Sequence, residues 1–272
     1  MPDGGRVEAG PVLLRDQAAG GVVTLTLNRP AARNGLSLAL LDALHAALSG
    51  IAGDAGVRCV VIAAAGPVFC AGHDLKEVRA AHGSEDRGRV LFGRMLARCA
   101  EVMQAIPSLP QPVIAAVQGM ATAAGCQLAA ACDVVVASDA ARFATPGVDI
   151  GLFCSTPAVA LARAVNRKAA MDMLLTGEPV DAETALRIGL ASRIVPAERL
   201  REEVAALAAR IAGRSALAVR LGKRTFGRQV GLPLDQAYAV ATEAMLDNML
   251  AEDAEEGIAA FVEKRTPTWR DR

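Results

Sequence analysis

The sequence predicts an α/β fold with parallel strand pairings. Three observations carry this expectation. Apolar runs at Val57–Ala64, Pro112–Val117 and Val134–Ala137 are almost free of polar residues, the mark of strands buried on both faces. Stretches of helical spacing separate them with short connections, the alternation that parallel crossovers require. From Leu161 onward the strand signal disappears and helical spacing takes over. At 272 residues the chain can be one large domain, or one domain with an appendage, around a substantial core.

Taken in order, residues 1–20 are Gly-rich and aperiodic, which predicts a disordered N-terminus. Gly21–Leu27 reads as a strand, stopped by Asn28-Arg29-Pro30, where proline removes a backbone donor. Leu36–Leu48 has apolar residues at helical spacing, with Ser37 near its start. Val57–Ala64 is the second strand. Gly66-Pro67 turns the chain, and Val68–Gly72 leads into a helix for which Asp74 and Glu77 form a capping box. A long helix is expected around Arg87–Ile106, then the buried strand Pro112–Val117, a turn at Gly119, and a helix opening near Gly125. Val134–Ala137 is a further strand. Later helices are expected at Asp181–Gly189, Glu198–Ala212 and Leu234–Leu250. The last carries Tyr238, Thr242, Met245 and Met249 on one stripe, a face either packed on the core or used in assembly.

Composition narrows the function. Hydrophobic residues make up 53% and aromatics 3%, so the core is built from Ala, Val and Leu. Lys+Arg and Asp+Glu are both 29, and the absent basic excess argues against a nucleic-acid partner. The uncharged run Pro107–Cys132 is broken by Pro110, Pro112, Gln118, Gly119, Gly125 and Gln127, so it reads as strand–turn–helix rather than a membrane span. The six cysteines (Cys59, Cys70, Cys99, Cys126, Cys132, Cys154) have no CxxC spacing and read as small buried hydrophobes. With no apolar signal core, and Asp3, Glu8 and Asp16 against a transit peptide, a cytoplasmic location is expected.

Several chemistries lack their signatures. There is no GxGxxG after a strand, no GxxxxGK[ST] and no GxSxG; His45, His73 and His82 have no metal-ligand spacing. What remains is a pair of Gly-containing turns, Phe69-Cys70-Ala71-Gly72-His73-Asp74-Leu75 and Ala123-Ala124-Gly125-Cys126-Gln127. The second, between a buried strand and a helix start, aims free N–H groups and the positive dipole end at one point, which suits an oxyanion.

With these turns the chain resembles the crotonase superfamily, the enoyl-CoA hydratase/isomerase family, over roughly Val22–Arg265. The resemblance is carried by Asn28-Arg29-Pro30, Phe-x-Ala-Gly-x-Asp at 69–74, Pro-Val-Ile-Ala-Ala-Val-x-Gly at 112–119, Leu-Leu-Thr-Gly-Glu-Pro-Val at 174–180 and Glu-Gly-Ile-Ala-Ala-Phe-Val-Glu-Lys-Arg at 256–265. Gly-His-Asp-Leu, Ala-Thr-Ala-Ala-Gly-Cys-Gln-Leu and Phe-Ala-Thr-Pro-Gly-Val are most similar to its domain-containing protein 3 subgroup. The resemblance implies a spiral of strand–strand–helix repeats in an acyl-CoA-binding core over 21–200. It implies a C-terminal helical trimerisation region over 201–272, in trimers or hexamers. It also implies an acyl-CoA thioester as substrate, with coenzyme A entering as part of it and no permanently bound cofactor or metal. The enolate-stabilising amides map to His73 and Ala124. The CoA contacts map to Ala32, Arg33, Cys70, Ala71, Gly72, Asp74 and Leu75, with Phe261 and Lys264 from a neighbouring subunit.

One departure matters. The two glutamates with which a hydratase of this family holds and splits water fall at Gln127 and Gly147. Gln127 can orient a water but cannot take its proton. Gly147 offers no side chain, which predicts extra space beside the acyl group. Substitute bases are Asp149, on the side of Gly147 if the segment is extended, and the His73 imidazole. Ser155 falls where some family members carry a working aspartate, but without a base it is a poor nucleophile. Asp74 is most simply a helix cap, and Cys126 and Cys154 most simply core. The expected function is therefore acyl-CoA chemistry through an enolate, with ordinary hydration disfavoured; the alternative is a non-catalytic acyl-CoA-binding oligomer, a sensor or scaffold.

Overall fold

The computed structural model describes residues 10–272. An edge strand, β1 (Leu13–Ala18), runs antiparallel to β2 (Val22–Leu27). After α1 (Leu38–Ala52) come β3 (Cys59–Ala64) and β4 (Val68–Cys70), then α2 (Leu75–Ala81) and α3 (Arg89–Ser108). The next unit is β5 (Val113–Val117), β6 (Met120–Thr122) and α4 (Ala124–Ala131). A third is β7 (Val134–Ser138) and β8 (Arg142–Ala144), leading through a 3-10 turn at Pro146–Ile150 to α5 (Ser155–Ala164) and α6 (Arg167–Thr176). The chain then forms β9 (Val180–Asp181), α7 (Ala182–Ile188), β10 (Arg193–Val195), α8 (Leu200–Ala212), α9 (Ala216–Gln229), α10 (Leu234–Met249) and α11 (Glu252–Val262).

The strands make two sheets, ordered β1-β2-β3-β5-β7-β10 and β4-β6-β8-β9. Within them only β1–β2 and β8–β9 pair antiparallel. Units β3–β4, β5–β6 and β7–β8 each place their first strand in the large sheet and their second in the small one. One face of the large sheet (Val23, Leu25, Val60, Ile62, Val113, Ala115) packs on α1 and α3. The other (Cys59, Val61, Ile114, Ala116, Val136) is covered by Leu200, Val204, Leu207 and Ala208 of α8. Burial on both faces is why these strands read as unbroken apolar runs.

Several expectations change. The disordered stretch 1–20 contains β1, which escaped notice because it is a solvated edge strand with charged residues and no apolar alternation. Positions 1–9 lie outside the described residues. Strands do occur after Leu161: β9 and β10 are two and three residues long, too short for a periodic signal. α8 falls almost wholly in the 201–272 segment expected to be the helical oligomerisation region, and it covers one face of the large sheet. The capping box is half formed. Asp74 accepts from the Lys76 amide at 3.0 Å, but Glu77 accepts from the Leu38 amide at 3.1 Å, so it caps α1 from across the interface. All six cysteines are free, five buried and Cys132 half-buried. Burial pushes the thiols of Cys59, Cys70, Cys99 and Cys126 up to about 12. Among the described residues no helix is long and apolar enough to cross a membrane.

Candidate active site

The site starts at the turn after β2. Asn34 is fully buried, at φ 53°. Its Oδ1 accepts from the Arg29 amide at 2.9 Å, and its Nδ2 donates to the Ala65 and Val68 carbonyls, both at 2.8 Å. Arg29 donates to the Gly35 carbonyl and, at 2.8 Å, to Asp74 Oδ2. Burial opposes ionisation of Asp74, but the Arg29 hydrogen bond, the Lys76 amide and the Arg29 charge outweigh it and hold the carboxyl below its usual range. The Ala71 amide donates to the Arg33 carbonyl at 3.0 Å, and the Leu36 amide to the Gly72 carbonyl at 2.7 Å. Segment 33–36 therefore fixes the loop 70–75. Neither Arg29 nor Asn34 stood out as a site residue in the sequence; the Asn34-Gly35 pair, a turn signal, was the available clue.

The second turn lies against the first. Gly125 allows α4 to meet β4 backbone to backbone: a Cβ there would stand 2.1 Å from the Cys70 carbonyl oxygen. A Cβ on Gly72 would stand 3.2 Å from the Ala124 nitrogen. The Gly72 carbonyl is held by the Leu36 amide, and the Ala123 carbonyl accepts from the Gln127 amide at 3.0 Å. In a trans peptide the N–H points opposite the C=O. Pinning those two carbonyls thus orients the N–H groups of His73 and Ala124, and neither donates to a protein acceptor among the described residues.

Both ring nitrogens of His73 are buried without a hydrogen-bond partner, and so is Oε1 of Gln127, a residue only 4% exposed on the first turn of α4; Asp42, Gln111 and Gln118 each carry such an atom elsewhere. Burial pushes the His73 imidazole below its ordinary 6.5; the nearby Leu36 carbonyl opposes this but falls short of hydrogen-bond geometry. Both side chains offer neutral hydrogen-bonding groups. Concavity alone would point elsewhere, to a cleft of about 280 Å³ lined by Arg58, Gln111 and Arg220 that shares no residue with these turns.

The remaining candidates fall differently. Gly147 is buried on the 3-10 turn, but the space expected beside it is filled. A Cβ would lie 2.9 Å from both Cys154 Sγ and the Leu152 carbonyl oxygen, because the loop folds back with the Leu152 amide donating to the Gly147 carbonyl at 2.9 Å. Asp149 is exposed on the same turn, beside Gly177. Since the segment is 3-10 rather than extended, positions 147 and 149 do not share a side. Ser155 is exposed at the start of α5, and its Oγ donates to the Phe153 carbonyl at 3.4 Å. Of the expected CoA contacts, Ala32, Arg33 (φ 51°), Cys70, Ala71, Gly72 and Asp74 border the clamped loop, with Leu75 exposed at the start of α2. Phe261, 85% exposed, and Lys264 stand at the end of α11, which packs on α10.

Comparison with known proteins gives the family. The model of the family described as "Enoyl-CoA hydratase/isomerase" matches residues 17–272. The rat mitochondrial enoyl-CoA hydratase domain-containing protein 3 is 48% identical over 262 residues, covering 96% of this chain and 86% of the rat protein. A crystal structure of a Mycobacterium smegmatis enoyl-CoA hydratase superposes with a TM-score of 0.90 at 51% identity, covering 95% of this chain and 99% of that one. That of human enoyl-CoA hydratase domain-containing protein 3 gives 0.90 at 47%, covering 95% and 100%. The subgroup resemblance is thereby borne out. The cytoplasmic expectation is overturned, because vertebrate relatives at 47–50% identity are named mitochondrial. Buried free thiols report burial rather than compartment. Family match, identity across nearly the whole chain and shared fold converge: this chain belongs to the enoyl-CoA hydratase/isomerase family.

Proposed function

We propose that the protein binds an acyl-CoA thioester and stabilises negative charge on the thioester oxygen with the amides of His73 and Ala124. The observation that carries this reading is the pair of adjacent peptide units, each with its carbonyl pinned and its N–H free. Donors fixed in advance cost no reorganisation when charge develops, and losing one costs roughly 10²–10³ in turnover in well-studied cases. Coenzyme A enters with the substrate, held along Ala32–Arg33 and loop 70–75, with Phe261 and Lys264 supplied by a neighbouring subunit of a trimer or hexamer. Relatives are named hydratases, yet the water-splitting carboxylates have no counterpart here. Gln127 is a neutral amide, and Gly147 is enclosed by its own loop. General acid–base groups are typically worth about 10²–10⁴ each, so ordinary hydration is not the main activity. The reaction is another one on an acyl-CoA enolate.

The same neutrality favours a second reading, acyl-CoA binding without turnover in a sensor or scaffold. Both are tested with a panel of enoyl-, malonyl- and β-hydroxyacyl-CoAs, following binding and turnover together. Turnover that collapses in Ala124→Pro, which deletes one donor, while acyl-CoA binding and the melting midpoint are kept, supports the enzyme. Binding across the panel with no turnover supports the sensor. Rapid crotonyl-CoA hydration by the unmodified protein would refute the exclusion of ordinary hydration.

A further inference from the structure

We infer that Asp253 is a positioning residue: its carboxylate locks the chain that returns along α11, and so sets where Phe261 and Lys264 stand. The inference rests on the reading, given above, that these two residues hold coenzyme A. α11 buries only Asp253 and Ala260, too little apolar contact to fix a helix of this length by itself. Its bearings come from residues 264–272. Lys264 stands at φ 55°, a conformation that glycine usually supplies after a helix. The Arg265 amide donates to the Ala260 carbonyl at 3.0 Å and the Lys264 amide to that of Phe261 at 3.3 Å, which reverses the chain. The returning strap then runs back to the start of α11. Glu256 accepts from Arg265 at 2.6 and 2.9 Å and from the Thr268 amide at 2.7 Å. Gly257 lets the Trp269 ring lie against the helix, since a Cβ there would stand 3.1 Å from it. The indole N–H reaches the Gly213 carbonyl at 3.0 Å.

Asp253 closes the strap. Only 3% exposed, it accepts from the Arg270 amide at 2.7 Å, the Asp271 amide at 3.0 Å and the Ser215 hydroxyl at 2.5 Å. A buried carboxylate needs such donors. Its own amide donates to the Arg272 carbonyl at 3.0 Å. Asp271 in turn pairs with Arg58, next to β3, and accepts from the Ala216 amide at 2.8 Å. One carboxylate thereby joins α11 to the strap and to the start of α9, and through Asp271 to the large sheet. An ammonium and an aromatic ring carried at the end of that helix suit a phosphate and an adenine, the half of coenzyme A far from the thioester.

Asp253→Asn keeps the shape of the side chain and removes its charge. It is expected to weaken butyryl-CoA binding about tenfold, the value of one charged contact. S-butyryl-pantetheine, which lacks the nucleotide, is bound as before. Phe261→Ala/Lys264→Ala shows the same split, and adding Asp253→Asn to that pair costs nothing more, because Asp253 acts through it. Asp271→Asn, at the outer end of the strap, repeats the split should Asp253→Asn fail to fold. A residue that merely stabilised the chain would weaken both ligands alike, or add its loss to that of the pair. Either result, or an unchanged butyryl-CoA affinity in Asp253→Asn, overturns the inference. If Phe261→Ala/Lys264→Ala itself binds butyryl-CoA as tightly as the unmodified protein, it is the coenzyme A reading that fails, and the inference falls with it.

Discussion

Acidification acts on two neighbouring residues of the site in the same direction but over different ranges. Burial holds the folded-state pKa of His73 below its ordinary 6.5. The unfolded chain therefore takes up the proton first, and stability is lost as pH falls below 6.5. Asp74 is depressed below 3.8 with Arg29 and the Lys76 amide as partners, so its contribution is complete above 3.8 and lost as pH falls through its folded value. Urea midpoints measured against pH should decline in two stages. His73→Gln should flatten the upper stage and leave the lower; an unchanged slope between pH 6.5 and the carboxylate range would sink that assignment. Gly147 bears on whether hydration can be restored. Glutamate placed there meets Cys154 and the Leu152 carbonyl at once, an overpacking that typically costs about 1–3 kcal/mol. Gly147→Glu, alone or with Gln127→Glu, should lower stability without producing crotonyl-CoA hydration, followed as loss of the conjugated thioester absorbance. A fast hydratase from the pair would mean that the loop yields. Sequence alone shows that the side chain is gone, but not that its place is taken, because the filling atoms come from a loop whose path is set by tertiary contact.

Elements were legible where burial leaves a long, uniform signature. β3, β5 and β7 sit between α1–α3 and α8, and α1 opens at the Ser37 cap, whose Oγ accepts from the Leu40 amide at 3.2 Å. The three-residue strands β4, β6 and β8 carry too little pattern, and β1 is solvated on its outer side. The same division holds at the site. Both turns could be located from Gly72 and Gly125, while the left-handed Asn34 and the inverted Ala123 are imposed by neighbours. α9 is a different case, having no buried residue at all. It is tied to the core by polar contacts. Lys223 Nζ donates to the Ile106 and Gln111 carbonyls at 3.0 and 2.9 Å and to Asp133 Oδ2 at 2.6 Å, and Asp133 also accepts from the Val113 amide at 2.7 Å. Hydrogen bonds to charged groups are worth about 1.5–3 kcal/mol. Lys223→Met should free α9 locally, raising hydrogen exchange in α9 and α10 while amides of β3 and β5 keep their protection. Equal loss of protection in the strands would show that α9 is part of the cooperative core.

On the scale of the whole molecule, the core closes without the last helices, and those helices leave an apolar face uncovered. Neither α9 nor α10 buries a residue, while Phe226, Leu234, Tyr238, Met245, Leu246 and Met249 are all more than half exposed. Of the stripe read from the sequence, Thr242, Met245 and Met249 line a groove of about 380 Å³ together with Ala241 and Leu246, while Tyr238 lies outside it. An exposed apolar surface of this kind marks a contact with another molecule, and with no net charge on the chain to oppose it, a second copy is the partner the proposed assembly requires. Met245→Glu/Met249→Glu should then shift the sedimenting species toward the single chain. The urea midpoint of the core should be nearly unchanged, since neither side chain touches it. Acyl-CoA affinity in that variant decides the rest. If it falls along with the assembly, Phe261 and Lys264 act across a subunit boundary, and the site is completed only by a neighbour. If the dissociated chain binds acyl-CoA as tightly as the assembly, loops 32–36 and 70–75 hold the ligand by themselves, and the apolar face serves association alone.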